Sequence, residues 1–420
     1  EKRLIAVDEL EQCRVPAIRY IVSVDGSGHE YEEAFDHYPS TRALYMQIAG
    51  VFIDLDDMLG QSGRFVDPAR LADAIEASVV SGFLPGSYLE HEVYKDPTEA
   101  FRAELFELFS STVVHQRTLL QLLLEVQKHG RPEDREAAAE GQVLLPKCPN
   151  LDCVLSRPDR GLGGIPVPAL GEAHCPECKR TLWPTDMLRI YEAFKPDASN
   201  KEVLGRCHQV IEHLVLLGVA LSFEQLSPKL LTQTAFLYDG DLAIFGEPAR
   251  LHTGLLKAWQ ALWARCIGRK QQPPVVVGVA KGGYPVEHLR GIGRFIPRRH
   301  LMRLDDFYMR DRLRVSSLTE TYFGRKFFYH AADGQLLVLT VPPADGEAYA
   351  KRGERDLSEV RRFPTLARTL EALDRLGSRL YDNALIPVAL AHNYAAYPLD
   401  NAERVLRVLT EQTITRKAAN

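Results

Sequence analysis

The chain has 420 residues, 45% hydrophobic and 25% charged, with a net charge of −5 at pH 7. That length is enough for a large core in two or three structural units, and that charge excludes a surface that attracts nucleic acid everywhere, so any such binding needs local basic patches. The longest apolar run, residues 214–223, is too short to cross a bilayer, and seven cysteines, four of them in paired spacing, fit a reducing cytoplasmic compartment with a metal site better than disulfides.

In chain order, residues 19–32 come first: RYIVSVDGSGHEYE. Tyr20, Val22 and Val24 alternate with Ile21, Ser23 and Asp25, which predicts a half-buried strand ending on an acid just before Gly-Ser-Gly. Asp-Gly is a common hairpin signal, so a plain turn is one reading; a buried carboxylate that needs a cation is the other. Residues 43–55 continue the meander, and a long helical zone covers about 97–129, after which RPEDREAAAEG interrupts the pattern. Residues 143–183 hold the cysteine pairs and a Pro/Gly-rich run, and read as an insertion between two parts of one domain, 1–142 and 184–420. Helical patterning returns over about 199–221. TAFLYDGDLAIFG, 234–246, is a strand and turn; PPVVVGVAKGG, 273–283, is a buried strand ended by Lys281; residues 325–343 form a hairpin turning at Asp-Gly. Helices over about 365–380 and 401–412 flank NALIPVALAHNY. Strands and helices alternate, which predicts an α/β class with a mixed sheet.

Cys148 and Cys153 are spaced C-x4-C, and Cys175 and Cys178 are spaced C-x2-C. Two such hooks are the layout of a four-thiolate zinc ribbon. A shell of four thiolates is closed, so its Zn2+ would be structural. His174 is a spare ligand that the cysteine count makes unnecessary, and Cys13, Cys207 and Cys266 read as ordinary buried thiols.

Asp239 repeats the oddity of Asp25, because it too ends an alternating strand and precedes a glycine. Carboxylates at the ends of neighbouring strands repel and raise one another's pKa unless a divalent cation lies between them, the arrangement that serves metal-assisted phosphoryl chemistry. Glu212 stands in the apolar half of its helix and is either a third such acid or a partner of His208 one turn back; Glu224 is the fallback. His392 is a core histidine or a ligand, and Lys281 either snorkels or holds a phosphate. Arginines crowd residues 290–314, including Arg298, Arg299 and Arg303, with aromatics interleaved, and Arg325 and Lys326 follow among further aromatics. Such a run is a solvated face or a nucleic-acid surface, where cations meet phosphates and rings meet unpaired bases.

The order VDGSG, LRIYEAF with VIEHL, FLYDGDLAIFG, VVGVAKGG, TYFGRKFFY and NALIPVALAH resembles the NurA nucleases in their longer bacterial form. The resemblance implies an RNase H-like fold, a homodimer, Mn2+- or Mg2+-dependent cleavage of DNA, and a HerA-type hexameric ATPase as partner. It also implies that Asp25, Glu212, Asp239 and His392 are the metal-binding and catalytic set. Archaeal members carry a tyrosine eight residues before the histidine; here that position is Ala384, with Tyr381 nearby. The resemblance further implies that the zinc ribbon is an elaboration of this branch. The expectation is therefore a DNA nuclease acting on DNA ends in repair or phage defence. The rival is a zinc-ribbon adaptor that docks on a translocase without cutting.

Overall fold

The strand opened by Tyr20 does not stop at Asp25. In the structure, a computed structural model, it runs Tyr20–Phe35, and Asp25, Gly26, Ser27 and Gly28 pair in register with Ala49, Ile48, Gln47 and Met46 of the next strand. Both the strand end and the hairpin turn expected here are therefore overturned. The strand is also covered on both faces: Val22 and Val24 join one apolar cluster and Ile21 another. Each such fully buried aliphatic side chain contributes about 1.5–3 kcal/mol.

The structure describes residues 3–10, 17–35, 38–59, 75–89, 91–157, 164–377 and 385–396. Cys13, Tyr381, Ala384 and the helix expected over 401–412 lie outside them. Among the described residues the main sheet has nine strands: β1 (Leu4–Ala6), β2 (Tyr20–Phe35), β3 (Tyr38–Asp54), β4 (Ile75–Pro85), β5 (Thr234–Asp239), β6 (Val275–Ala280), β7 (His300–Arg303), β8 (Arg325–His330) and β9 (Leu336–Val341). Their order is β1-β7-β8-β9-β6-β5-β2-β3-β4. β2, β3 and β4 form the antiparallel meander; β5 lies parallel to β2, and β6 parallel to β5. β9 returns antiparallel to β6, followed by β8 and β7. This is a mixed sheet flanked by helices, as the alternation of strands and helices predicts. β5 and β6 are near-continuous apolar runs because both their faces are buried.

Among the described residues the helices of eight residues or more are α1 (Pro97–Ser111), α2 (Leu119–Gln127), α3 (Pro132–Ala139), α4 (Lys201–Leu226), α5 (Leu251–Gly268), α6 (Tyr284–Ile292), α7 (Leu366–Leu376) and α8 (Ile386–Ala396). The single helical zone expected over 97–129 is two helices split by a small hairpin, Val113–Val114 with Arg117–Thr118. Asp96 caps α1 through the Thr98 amide, and Thr118 with Gln121 forms a capping box that restarts the chain as α2. RPEDREAAAEG, expected to break the pattern, forms α3, with Pro132 in its first turn. α4 is long and apolar enough, by length and composition, to cross a membrane, yet 72% of its most apolar window is buried inside the protein. It is the central helix of one sheet face, packed with α2 and α5, while α7 and α8 cover the other face.

Candidate active site

β5 ends at Asp239, whereas its parallel neighbour β2 continues well past their last pair, Val24 with Tyr238. Asp25 is the first residue of β2 beyond that pairing. β6 ends one residue before Lys281. A step is thus cut into the sheet where the two central parallel strands stop. Side chains carried by both faces can meet there.

α4 approaches β2 closely because β2 presents glycine. A Cβ on Gly26 would lie 2.3 Å from Glu212 Oε1, and one on Gly28 would lie 2.5 Å from the His208 ring. Neither residue has a positive φ, so these glycines serve a close approach and not a turn. Glu212 reaches the step over Gly26, and its Oε2 accepts a 2.9 Å hydrogen bond from the Tyr238 hydroxyl. It does not pair with His208, whose ring packs against Gly28. From the opposite face α8 brings His392, whose Nδ1 lies 2.9 Å from Asp25 Oδ2. His392 is half exposed and not a core histidine. Lys281 donates to Asp239 Oδ2 at 2.5 Å. Five residues from β2, α4, the ends of β5 and β6, and α8 are thereby brought to one place.

The electrostatics are those of acids held together with too little countercharge. Burial, reinforced by Asp239, pushes the Asp25 carboxyl up to about 6, against the opposing pull of Lys281 and His392. Burial, reinforced by Asp25, pushes Glu212 up to about 8, with Tyr238 opposing. An open cleft of about 420 Å³ lies alongside, lined by Gln209, Tyr238, Asp239, Gly240, Asp241, Lys281 and neighbours. The donor set of carboxylates and one imidazole suits a hard divalent cation such as Mg2+ or Mn2+. Among the described residues, however, the group whose ligand atoms all fall within 4.8 Å of one another is the cysteines; the acids are set wider, and of the proposed metal ligands Asp239 lines the cleft.

That cysteine group is Cys148, Cys153, Cys175 and Cys178. The Sγ atoms of Cys148 and Cys178 are 3.7 Å apart, as are those of Cys153 and Cys175. A disulfide needs about 2.05 Å, whereas Zn–S bonds of about 2.3 Å set tetrahedral edges near 3.8 Å. The cluster is therefore shaped for zinc. Burial raises the Cys148 thiol; at Cys178 the Arg180 amide and the Asn150 side chain overcome the burial cost and bring it down to about 6. Three of these cysteines belong to the same apolar cluster as Val22 and Leu214, so the ribbon is packed onto the sheet's α4 face.

No family model and no curated protein matches the chain. Among solved structures it is similar to the crystal structure of the NurA nuclease from Sulfolobus solfataricus. That overlay covers 98% of this chain and 89% of the other, with a TM-score of 0.35 and 8% identity. At that degree of overlap the likeness decides nothing about activity, and the side chains must carry the reading.

Two residues expected to contact DNA do not face solvent. Arg325 is fully buried between Asp306 at 2.6 Å and Asp356 at 3.1 Å, and Lys326 is fully buried on Asp241 at 2.6 Å. Both alternate into the core from β8, where an unpaired charge would be costly, and each is matched by its own acid. Arg298 and Arg299 are exposed, Arg299 pairing with Asp8; Arg303 is half-buried in β7. Glu224, the fallback acid, is held by Arg265 and Arg269 away from the step. Sequence reasoning passed over Asp241, Gln209 and Tyr238. The second acid of Asp-Gly-Asp was a visible signal for the first; nothing marked the other two.

Proposed function

We propose that the chain is a metal-dependent deoxyribonuclease that processes DNA ends. The observation that carries this reading is the convergence of Asp25, Glu212, Asp239, Lys281 and His392, from chain-distant elements, at the step where the central parallel strands end. Asp25, Glu212, Asp239 and His392 would hold Mn2+ or Mg2+, which when bound supplies a water ionised near neutral pH and charge neutralisation at the departing 3′ oxygen. The protein's own groups do the rest. Lys281 offers a point charge to the scissile phosphate. His392, with Nδ1 engaged by Asp25, keeps Nε2 for the metal or phosphate. Tyr238 fixes the Glu212 carboxyl by its hydrogen bond.

In the same reading residues 143–183 are a structural Zn2+ ribbon inserted between 1–142 and 184–420. The protein is cytoplasmic and homodimeric and works with a HerA-type hexameric ATPase that feeds it DNA in repair or phage defence. Arg298, Arg299 and Arg303 contact the DNA backbone. The test is cleavage of labelled DNA with Mn2+ or Mg2+ by the wild type and by Asp25→Ala. The variant should lose cleavage while keeping its fold and DNA binding, because removing one of several crowded acids relieves repulsion. Full activity in the variant sinks the assignment. The zinc-ribbon adaptor, the second reading, requires the wild type to be inert and to bind no Mn2+ beyond its zinc.

A further inference from the structure

The segment from Lys281 to Arg303 carries six cations against one acid, Glu287, in a chain whose net charge is −5. It leaves the active-site step through Gly282, turns at Gly283 and becomes α6, which packs Val286 and Leu289 inward beside Phe328 of β8 and Val338 of β9. A 3-10 turn, Gly293–Phe295, continues it. The outward side is unusual. Tyr284 is 50% exposed and Phe295 66% exposed, at the two ends of this element. Seven residues of helix bring a side chain back to within about 20° of its starting direction and about 10 Å further along. Tyr284, His288 and Gly291 therefore lie along one side of α6, and Phe295 stands at the end of the 3-10 turn that follows it. His288 is pinned by a 2.6 Å hydrogen bond to Tyr308. At Gly291 a Cβ would meet nothing within 4 Å, so the space between the rings is open. Arg294 lies with its guanidinium 4.7 Å over the Phe295 ring and has no ion pair among the described residues; Arg298 reaches only the Ala332 carbonyl.

We propose that this ridge, Tyr284 to Arg298, is a binding track for single-stranded DNA that leads into the acid site. The inference rests on the nuclease reading and adds strandedness to it. Exposed rings offer faces to unpaired bases, whereas the bases of a duplex are already stacked on each other. Arg294 and Arg298 beside those rings neutralise the phosphates that follow. Lys281, three residues before Tyr284, would hold the phosphate at the point of cleavage, so track and site are contiguous along the chain.

The test is fluorescence anisotropy of labelled oligodeoxythymidylate on the full chain with its zinc and no added divalent cation. Gly291→Glu places a carboxylate on the open stripe without touching the core, and Phe295→Ala removes one platform. Each should weaken binding by about tenfold or more, while Gly291→Ala stays close to wild type. Arg294→Ala should also lower the slope of log affinity against log salt by about 0.7, the value for one single-strand phosphate contact. Unchanged affinity in both Gly291→Glu and Phe295→Ala, or equal competition by duplex DNA, overturns the track. Cleavage is scored separately with Mn2+. Ridge-dependent binding without cleavage sinks the nuclease reading and leaves the track; cleavage with ridge-independent binding sinks the track alone.

Discussion

Gly26→Ala isolates the contact on which the site depends. A Cβ there would stand 2.3 Å from Glu212 Oε1 and 2.8 Å from Ile48 Cδ1. Ile48 is 2% exposed and cannot retreat, so Glu212 must move or α4 must lift. Overpacking of this kind costs about 1–3 kcal/mol, from which about 0.5–1 kcal/mol returns because alanine replaces glycine inside a strand. The net expectation is a destabilisation of up to about 2.5 kcal/mol. Urea denaturation reads that term. Calorimetric titration of Mn2+ into the zinc-loaded protein reads the other consequence, since a displaced Glu212 leaves the cation with one ligand fewer. Gly28→Ala is the control: it crowds His208 at 2.5 Å and not Glu212. It should cost similar stability and leave Mn2+ affinity alone. A Gly26→Ala protein with wild-type stability and wild-type Mn2+ affinity would refute the close approach of α4 to β2, and with it Glu212's place in the site.

Three further outcomes are expected. Lys326→Met should destabilise by about 3–5 kcal/mol because it strands Asp241 in a poorly solvated position, and Lys326→Met with Asp241→Asn should recover much of that in denaturation experiments; a mild single variant with weakened DNA binding would restore Lys326 as a DNA contact. Metal analysis should find about one zinc per chain, lost in Cys148→Ser, and because the cysteines sit in the core cluster of α4 the loss should lower the unfolding midpoint of the whole protein. Glu224 is held below the ordinary carboxylate pKa chiefly by the Arg265 hydrogen bond, so its stabilisation is complete above that ordinary value and disappears as pH falls through the lowered one. The midpoint difference between wild type and Glu224→Gln should therefore hold from neutral pH down to the ordinary glutamate value of about 4.3 and shrink as the pH falls further below it.

Most of the sheet was legible because its strands are either strictly alternating or fully apolar. β5 and β6 are short apolar runs bounded by turn residues, and the β8–β9 hairpin carries its Asp-Gly. β4 was not, since Ile75–Pro85 is an edge strand whose first half is exposed, so its sequence carries little periodicity. α3 was misjudged for a related reason. Its Pro and acids look like loop composition, but Pro in the first turn and acids near a helix N-terminus are favourable there. Arg325 and Lys326 misled in the other direction. Charge in a sequence suggests surface, and only the fold reveals that Asp306, Asp356 and Asp241 were placed to receive them.

The approach of Asp25 to Asp239 was expected from the sequence, but with a wrong geometry. Two strands that each reach an aspartate before a glycine do bring their acids together, but for different reasons. At Asp239 the strand truly ends, and Gly240, with φ of 132°, turns the chain away. At Asp25 the strand goes on, and Gly26 is small so that Glu212 can cross over it. A pattern of residue types cannot separate these cases, because a glycine needed for its backbone freedom and a glycine needed for its missing side chain are the same letter. The difference lies in what packs against the strand, and that is set by α4, almost two hundred residues away in the chain. Lengthening β5 beyond Asp239, or replacing Gly26 with any side chain, would close the step from one side or the other. The acids would then be left on two faces of one sheet with no point in common.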